Sequence, residues 1–305
     1  MKRDCVRLAI TGATGFIGRG ILENADPNLK YHAISRSRQP SWVPDAVGWS
    51  TISSYGDRDA LGHAIDGAHY VVHLADNPFR SGHRDQADAV RNAEALAYAA
   101  RSSKVKGVIL VSSLYARGEM GAALPSYGAT KRLIENQFLS EVGLRTIVLR
   151  LPPVYGPGGK GGVNMLARLV SKRLPLPLGY AVAPRAYISR RNLVSLVSAI
   201  ALMGEGRWEA AAGNIFEPSD GVRFGTRDLV NAIAAQLCVN PILLPFPIGI
   251  LRPLSFVIGK GDLVSGATDE LCVLPVDDLD AAFGWRPIET IPESLGFLRS
   301  GVNSS

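Results

Sequence analysis

The chain has few cysteines: Cys5, Cys238 and Cys272 are the only three among 305 residues. They lie far apart, are odd in number and form no CxxC pair, which argues against a disulfide framework and a zinc site and leaves reduced thiols as the expectation. Histidine is scarce as well. His32, His63, His69, His73 and His83 show no HExxH or similar ligand spacing, so no metal is expected, and His73 falls in an apolar strand pattern where a hydrogen-bonded core histidine is the simplest reading. No basic run is interleaved with aromatics. The formal charge of +6 comes from scattered Lys and Arg, which suits small anionic ligands and excludes nucleic acid as the expected partner. Long unbroken apolar runs are missing too: the most hydrophobic stretch, 241–259, is cut by Pro241, Pro245, Pro247 and Pro253 and carries Arg252, so it predicts packing on a core and no membrane span. The opening MKRDCVRLAI passes from charges straight into a short apolar run without a signal-peptide segment, and a cytoplasmic protein is expected.

What is present is a regular alternation. Apolar runs at 6–10, 31–35, 69–75, 107–113 and 146–151 alternate with amphipathic segments such as 16–24, 85–101 and 127–141. Short Val, Ile and Leu runs separated by helices predict a parallel sheet buried on both faces, a doubly wound α/β domain of the Rossmann type. From about residue 156 the texture turns to dense Gly and Pro (YGPGGKGG, RLPLPLGYAVAP). The expected organisation is a dinucleotide-binding domain over 1–155, rejoined by about 186–211, with a smaller substrate lobe from 156–185 and 212–300.

After the first strand stands TGATGFIGRG, with Gly12, Gly15 and Gly18 spaced GxxGxxG and leading into a helix. Glycine lets the backbone approach a pyrophosphate, and the helix amino terminus offers unpaired N–H groups to it. At the end of the second strand, where a carboxylate would receive the adenosine ribose hydroxyls, the sequence reads ISRSR. Ser35 can donate to a 2′-phosphate, and Arg36 can grip one bidentately or stack on adenine, so NADP(H) is favoured and NAD(H) is the alternative.

The fourth apolar strand ends in VSS, and fourteen residues beyond Ser113 comes YGATK, with Tyr127 and Lys131 four apart on a helix. That spacing puts both on one face, where the ammonium lowers the cost of ionising the phenol. A hydroxyl from Ser113, or from Ser112, would hold a carbonyl beside that phenol, making an acid/base site for hydride transfer.

These pieces together resemble the extended short-chain dehydrogenase/reductase superfamily, the NAD-dependent epimerase/dehydratase group. TGATGFIG, VVHLAD, VSS, YGATK, LRLPPVYGPG and a late LDAAFGWRP occur in the expected order over nearly the whole chain. Within it, the sequence looks most like bacterial UDP-sugar 4-epimerases and 4-ketoreductases of surface-polysaccharide synthesis. The resemblance implies catalytic roles for Ser113, Tyr127 and Lys131. It implies cofactor contacts from Thr14, Phe16, Ile17, Leu74, Ala75 and Ser112, with Pro152, Pro153 and Val154 as the nicotinamide floor. It further implies Arg185 on the substrate diphosphate, Asn192 where an Asp is usual, and a homodimer through helices 85–101 and 127–141. Asn164 is a candidate for the diphosphate or the uracil. Leu114 and Tyr115 stand where the sugar dehydratases carry an Asp-Glu pair, which makes elimination chemistry unexpected. The expected activity is NADPH-dependent reduction of a UDP-4-keto sugar; the alternatives are a UDP-sugar 4-epimerase with tightly held NAD and a non-catalytic dinucleotide-binding regulator.

Overall fold

Strand-forming runs too short to stand alone gain stability by pairing side by side and covering both faces with helices. A computed structural model describes residues 5–75, 83–118, 125–257, 259, 261–273 and 277–302. Among these, the strands are β1 (Val6–Thr11), β2 (Leu29–Ser35), β3 (Gly48–Thr51), β4 (Tyr70–His73), β5 (Gly107–Ser113), β6 (Thr146–Leu151), β7 (Val154–Tyr155), β8 (Ile188–Ser189) and β9 (Ile215–Phe216). Seven of them form one sheet in the order β3-β2-β1-β4-β5-β6-β9, and every pairing in it is parallel. The strand order reverses beside β1, so the crevice between the carboxyl ends of β1 and β4 is the place for a ligand. β7 and β8 pair separately.

The helices are α1 (Phe16–Glu23), α2 (Arg58–Ile65), α3 (His83–Ser102), α4 (Pro125–Ser140), α5 (Gly162–Ser171), α6 (Arg190–Leu202), α7 (Glu205–Ala211), α8 (Thr226–Leu237), α9 (Ile248–Val257), α10 (Gly261–Thr268), α11 (Asp277–Phe283), α12 (Ile291–Ser294) and α13 (Phe297–Val302). Alternate strand residues feed two cores. Leu8, Ile10, Val72, Ile109 and Ile147 pack with Ile21, Leu193, Val197 and Trp208 on one face. Ala9, Val71, Val108, Leu110 and Val148 pack with Leu61, Leu96 and Phe138 on the other. A third core, of Tyr155, Val163, Leu166, Tyr187, Leu229, Ile233 and Ile291, lies under α5 and α8. Within 212–300, β9 adds to the edge of the main sheet, and Leu279, Phe283 and Trp285 join the first core.

The sequence pattern missed β3 and α2. β3 reads Gly-Trp-Ser-Thr on the sheet edge, where one partner strand suffices and no apolar run is needed. α2 starts at Asp57, whose carboxylate accepts the Ala60 N–H at 3.0 Å, a cap that outweighs its weak apolar stripe.

Candidate active site

The loop between β1 and α1 is set by close backbone approach. Gly12 has φ +72°, and a Cβ there would lie 2.8 Å from the Leu74 carbonyl carbon and 2.9 Å from the Ala75 nitrogen. A Cβ on Gly18 would meet the Gly12 oxygen at 2.6 Å and the Ala13 Cα at 2.7 Å. Gly15 caps α1 without any side-chain hydrogen bond, so the first N–H groups of the helix face outward beside the exposed Thr14 and Gly15. This cradle fits the pyrophosphate of a dinucleotide, since it offers donors and has no side chain in the way. Gly18→Ala is expected to cost about 1–3 kcal/mol of stability through that backbone clash, checked by urea unfolding; an unchanged midpoint would mean that the loop yields freely.

The end of β2 is tied to the same loop through a residue the sequence did not single out. The Tyr55 hydroxyl accepts from Gly12 N at 2.9 Å and donates to the Ile34 carbonyl at 2.9 Å. Burial raises the Tyr55 pKa, so it remains a neutral bridge. The Arg36 guanidinium lies 6.0 Å from the Tyr55 ring centroid, at the edge of cation–π range, and the residue is exposed. Ser35 is buried, and its Oγ accepts the Ser37 N–H at 3.1 Å. Thr11 Oγ1 is 2.8 Å from His73 Nδ1 and accepts the Leu74 N–H at 3.3 Å, which pins the carboxyl ends of β1 and β4 together. The expected core role of His73 holds.

Across the crevice, α4 carries Tyr127 and Lys131. The Lys131 ammonium donates to the Val111 carbonyl at 3.2 Å and sits 5.9 Å from the Tyr127 ring centroid. The helix comes this close because Gly128 has no side chain: a Cβ there would lie 2.2 Å from the Tyr115 oxygen. Ser113 ends β5 and caps the short 3-10 turn Leu114–Arg117, its Oγ accepting from Tyr115 N at 3.4 Å. Its strand neighbour Leu151 leads directly into Pro152, Pro153 and Val154, with Val154 paired to Ile188.

Ser112 faces the other way. Its Oγ donates to the Glu135 carboxylate, which also accepts from Arg150 Nη2 at 2.7 Å and Nε at 3.0 Å. Ser112 and Arg150 are register partners on β5 and β6, so both point to the sheet face on which α4 packs. Glu135 is 1% exposed, a buried ion pair that binds α4 to two strands one turn beyond Lys131.

Phe16 and Ile17 open α1. Phe16 lies under the Arg190 guanidinium, 5.1 Å from its ring centroid, while Ile17 packs on the first core. The Asn164 amide donates to the Gly156 carbonyl at 2.9 Å, and its Oδ1 is buried without a partner, so a donor supplied by a ligand would satisfy it. Arg185 is 2% exposed, and its guanidinium donates to the Asp269 carbonyl. The structure therefore gathers the glycine loop, Leu74, Ala75, Ser35 and Arg36 around one end of the crevice and Ser113, Tyr127 and Lys131 around the other. It holds Ser112 and Arg185 in protein contacts.

A model of the NAD dependent epimerase/dehydratase family matches residues 8–200. The chain belongs to that family. It is 27% identical over 314 residues to UDP-glucose 4-epimerase of Vibrio cholerae, covering 94% of this chain and 93% of the relative. It is 32% identical over 158 residues to ceramide reductase of Caulobacter vibrioides, covering 50% of this chain and 47% of that one. Among solved structures, the Bordetella bronchiseptica enzyme WbmG in complex with NAD and UDP superposes with a TM-score of 0.73 at 17% identity, covering 98% and 96% of the two chains. Membership makes this an enzyme of the extended short-chain dehydrogenase/reductase type.

In this epimerase/dehydratase-family chain, two site features had readable but unused signals. Glu135 follows Lys131 by four residues on the same helix face, and Arg150 is a lone charge in the apolar strand TIVLRL; such a charge in a buried strand implies a partner. Tyr55 had no such signal, because its two partners, the Gly12 N–H after β1 and the Ile34 carbonyl on β2, come from segments distant in sequence.

Proposed function

We propose that the chain is an NAD(P)-dependent oxidoreductase of a nucleotide-sugar, a UDP-sugar first among candidates, transferring hydride at a sugar carbonyl or alcohol carbon. The observation that carries the reading is the seating of Tyr127 and Lys131 on one face of α4 against the end of β5 that bears Ser113. A bound nicotinamide dinucleotide would supply or accept the hydride. Tyr127 then gives a proton to, or takes one from, the sugar oxygen, and Ser113 holds that oxygen with its hydroxyl. The Lys131 ammonium, fixed by the Val111 carbonyl, stabilises negative charge on the phenol oxygen. Pro152, Pro153 and Val154, which follow β6 next to Ser113, would hold the nicotinamide ring of that dinucleotide. Ser112, committed to Glu135, positions α4.

For the dinucleotide we favour NADP(H), supported by the exposed cation Arg36 and the absence of a carboxylate at 34–38. Use of NADPH favours reduction of a 4-keto sugar. Asn164, with its unsatisfied Oδ1, suits a donor on the nucleotide, whereas Arg185 reaches a diphosphate only if its contact with Asp269 opens. Exposed Tyr98 on α3 and Leu133 on α4 suit a homodimer through those helices, and no helix among the described residues is long and apolar enough to cross a membrane. A cytoplasmic location is the companion proposal.

The second reading is a UDP-sugar 4-epimerase with NAD, favoured by the likeness to UDP-glucose 4-epimerase over 94% of the chain. Oxidation of NADPH by a UDP-4-keto sugar supports the reductase; UDP-hexose interconversion without added NADPH replaces it with the epimerase. Ser35→Asp combined with Arg36→Ala is expected to move the kcat/KM ratio toward NADH by about tenfold or more, equivalent to at least ~1.4 kcal/mol. The aspartate would keep the Ser37 N–H satisfied while repelling a 2′-phosphate. A ratio that stays put would reduce ISRSR to an ordinary turn.

A further inference from the structure

The 3-10 turn Leu114–Arg117 stands between strand β5, which ends in Ser113, and the substrate lobe, and a residue outside the proposed chemistry joins the two. Arg117 Nε donates to Glu217 Oε1 at 2.6 Å, Nη2 donates to Glu217 Oε2, and Nη1 donates to the Cys272 carbonyl at 2.9 Å. Glu217 is buried and directly follows β9, two places from β5 in the sheet. Cys272 lies in the segment after α10. One guanidinium thus ties the turn beside Ser113 to the end of β9 and to that later segment.

The segment around Cys272 leads on to Arg185. Leu271 N donates to the Pro184 carbonyl at 3.0 Å and Ala186 N to the Leu271 carbonyl at 2.6 Å, while Arg185 N donates to the Phe224 carbonyl at 3.1 Å. Leu114 packs with Ala186, Leu271 and Val273 in a small core of its own. On the other side of the turn, Arg132, next to Lys131 on α4, donates from Nε to the Ala116 carbonyl at 2.8 Å. A continuous chain of contacts therefore leads from α4 and Ser113 through the turn to the lobe segment that carries Arg185. Apolar packing of four side chains holds these parts together without fixing their angle, because burial is non-directional. A bidentate fork is directional. Stability alone does not account for it, since a buried ion pair gains little over neutral side chains of similar size.

We propose, on the nucleotide-sugar reading, that Arg117 is a positioning residue: its fork to Glu217 and its bond to Cys272 set the distance between Ser113 and the lobe that holds the nucleotide, so that the reacting sugar carbon arrives at Tyr127 in register. A substrate held at its nucleotide end and converted at its sugar end makes the rate sensitive to that distance, because a misplacement of about 1 Å can cost about a hundredfold.

The test separates binding from turnover. Arg117→Met combined with Glu217→Gln removes the fork without stranding a buried carboxylate, and circular dichroism with urea unfolding checks the fold. Titrations with UDP alone and with NADP+ alone should give affinities within a few-fold of wild type, since each half of the site keeps its own residues, whereas kcat should fall by about tenfold to a hundredfold. Turnover is read with NADPH and a UDP-4-keto sugar, or as UDP-hexose interconversion, whichever the wild type catalyses. Arg117→Lys keeps the cation and loses the fork, so its kcat should lie between those of wild type and the double variant. An unchanged kcat in the folded double variant would overturn the proposal alone. So would a parallel loss of kcat and both affinities, which would make the pair merely structural. A wild type that neither binds UDP nor converts a UDP-sugar would remove the nucleotide-sugar reading and this proposal with it.

Discussion

Tyr127→Phe is expected to lower turnover by about a thousandfold or more, the effect of removing a positioned general acid/base. Dinucleotide affinity should change little, because the ring remains and the loop at Gly12–Gly18 is untouched. Lys131 donates to the Val111 carbonyl, and a phenylalanine keeps the ring that lies 5.9 Å from its ammonium, so the variant should not displace it. The loss is therefore expected in kcat, with KM moving within a few-fold. Steady-state rates together with fluorescence titration of the dinucleotide separate the two quantities. Turnover that survived the substitution would remove Tyr127 from the chemistry and with it the reading of the crevice as a hydride-transfer site.

Asn192→Asp should produce the largest loss of stability, about 3–5 kcal/mol, the range for an uncompensated buried charge. Asn192 is fully buried at the start of α6. Its amide donates to Asp220 Oδ1 at 2.7 Å and to the Glu289 carbonyl at 2.8 Å, while its Oδ1 accepts from Ile288 N and Glu289 N at 2.9 and 3.1 Å. Tyr155 and Ser189 complete the shell around Asp220. An aspartate would lose both donors and place a second carboxylate against Asp220. Burial already pushes the Asp220 carboxyl up to about 6, against the lowering effect of its hydrogen bonds. The sign follows: a carboxyl with a raised folded-state pKa binds protons more tightly in the folded chain, so stability increases as pH falls through about 6 toward the unfolded value. The Asn192→Asp deficit should therefore be greatest above pH 6 and shrink as the pH drops toward 4. Urea unfolding at the two ends of that window checks both points. Adding Asp220→Asn to Asn192→Asp should restore part of the loss, and failure of both effects would mean that the cluster does not carry this load.

That amide also explains a departure visible in the sequence. The resemblance puts an Asp where this chain has Asn192, and the reason becomes apparent only when Asp220, 28 residues away, is seen against it. By contrast, the five apolar runs named from the sequence became β1, β2, β4, β5 and β6, since burial on both faces writes itself locally as consecutive Val, Ile and Leu. β3, at an edge, and β9, of two residues, left no such trace.

Sequence alone determined the parallel sheet, the glycine loop and the Tyr-Lys helix, because each depends on a local pattern: short consecutive apolar runs, glycines at a close turn, and an i, i+4 pair on one helical face. Tertiary structure decided the rest. It turned Ser112 toward Glu135 and Arg150, buried Arg185 on the Asp269 carbonyl, made Tyr55 the link between Gly12 and Ile34, and left one side of α9 uncovered. In each case the partner comes from a distant segment, and a polar group's role is fixed by the partner that satisfies it once water is removed.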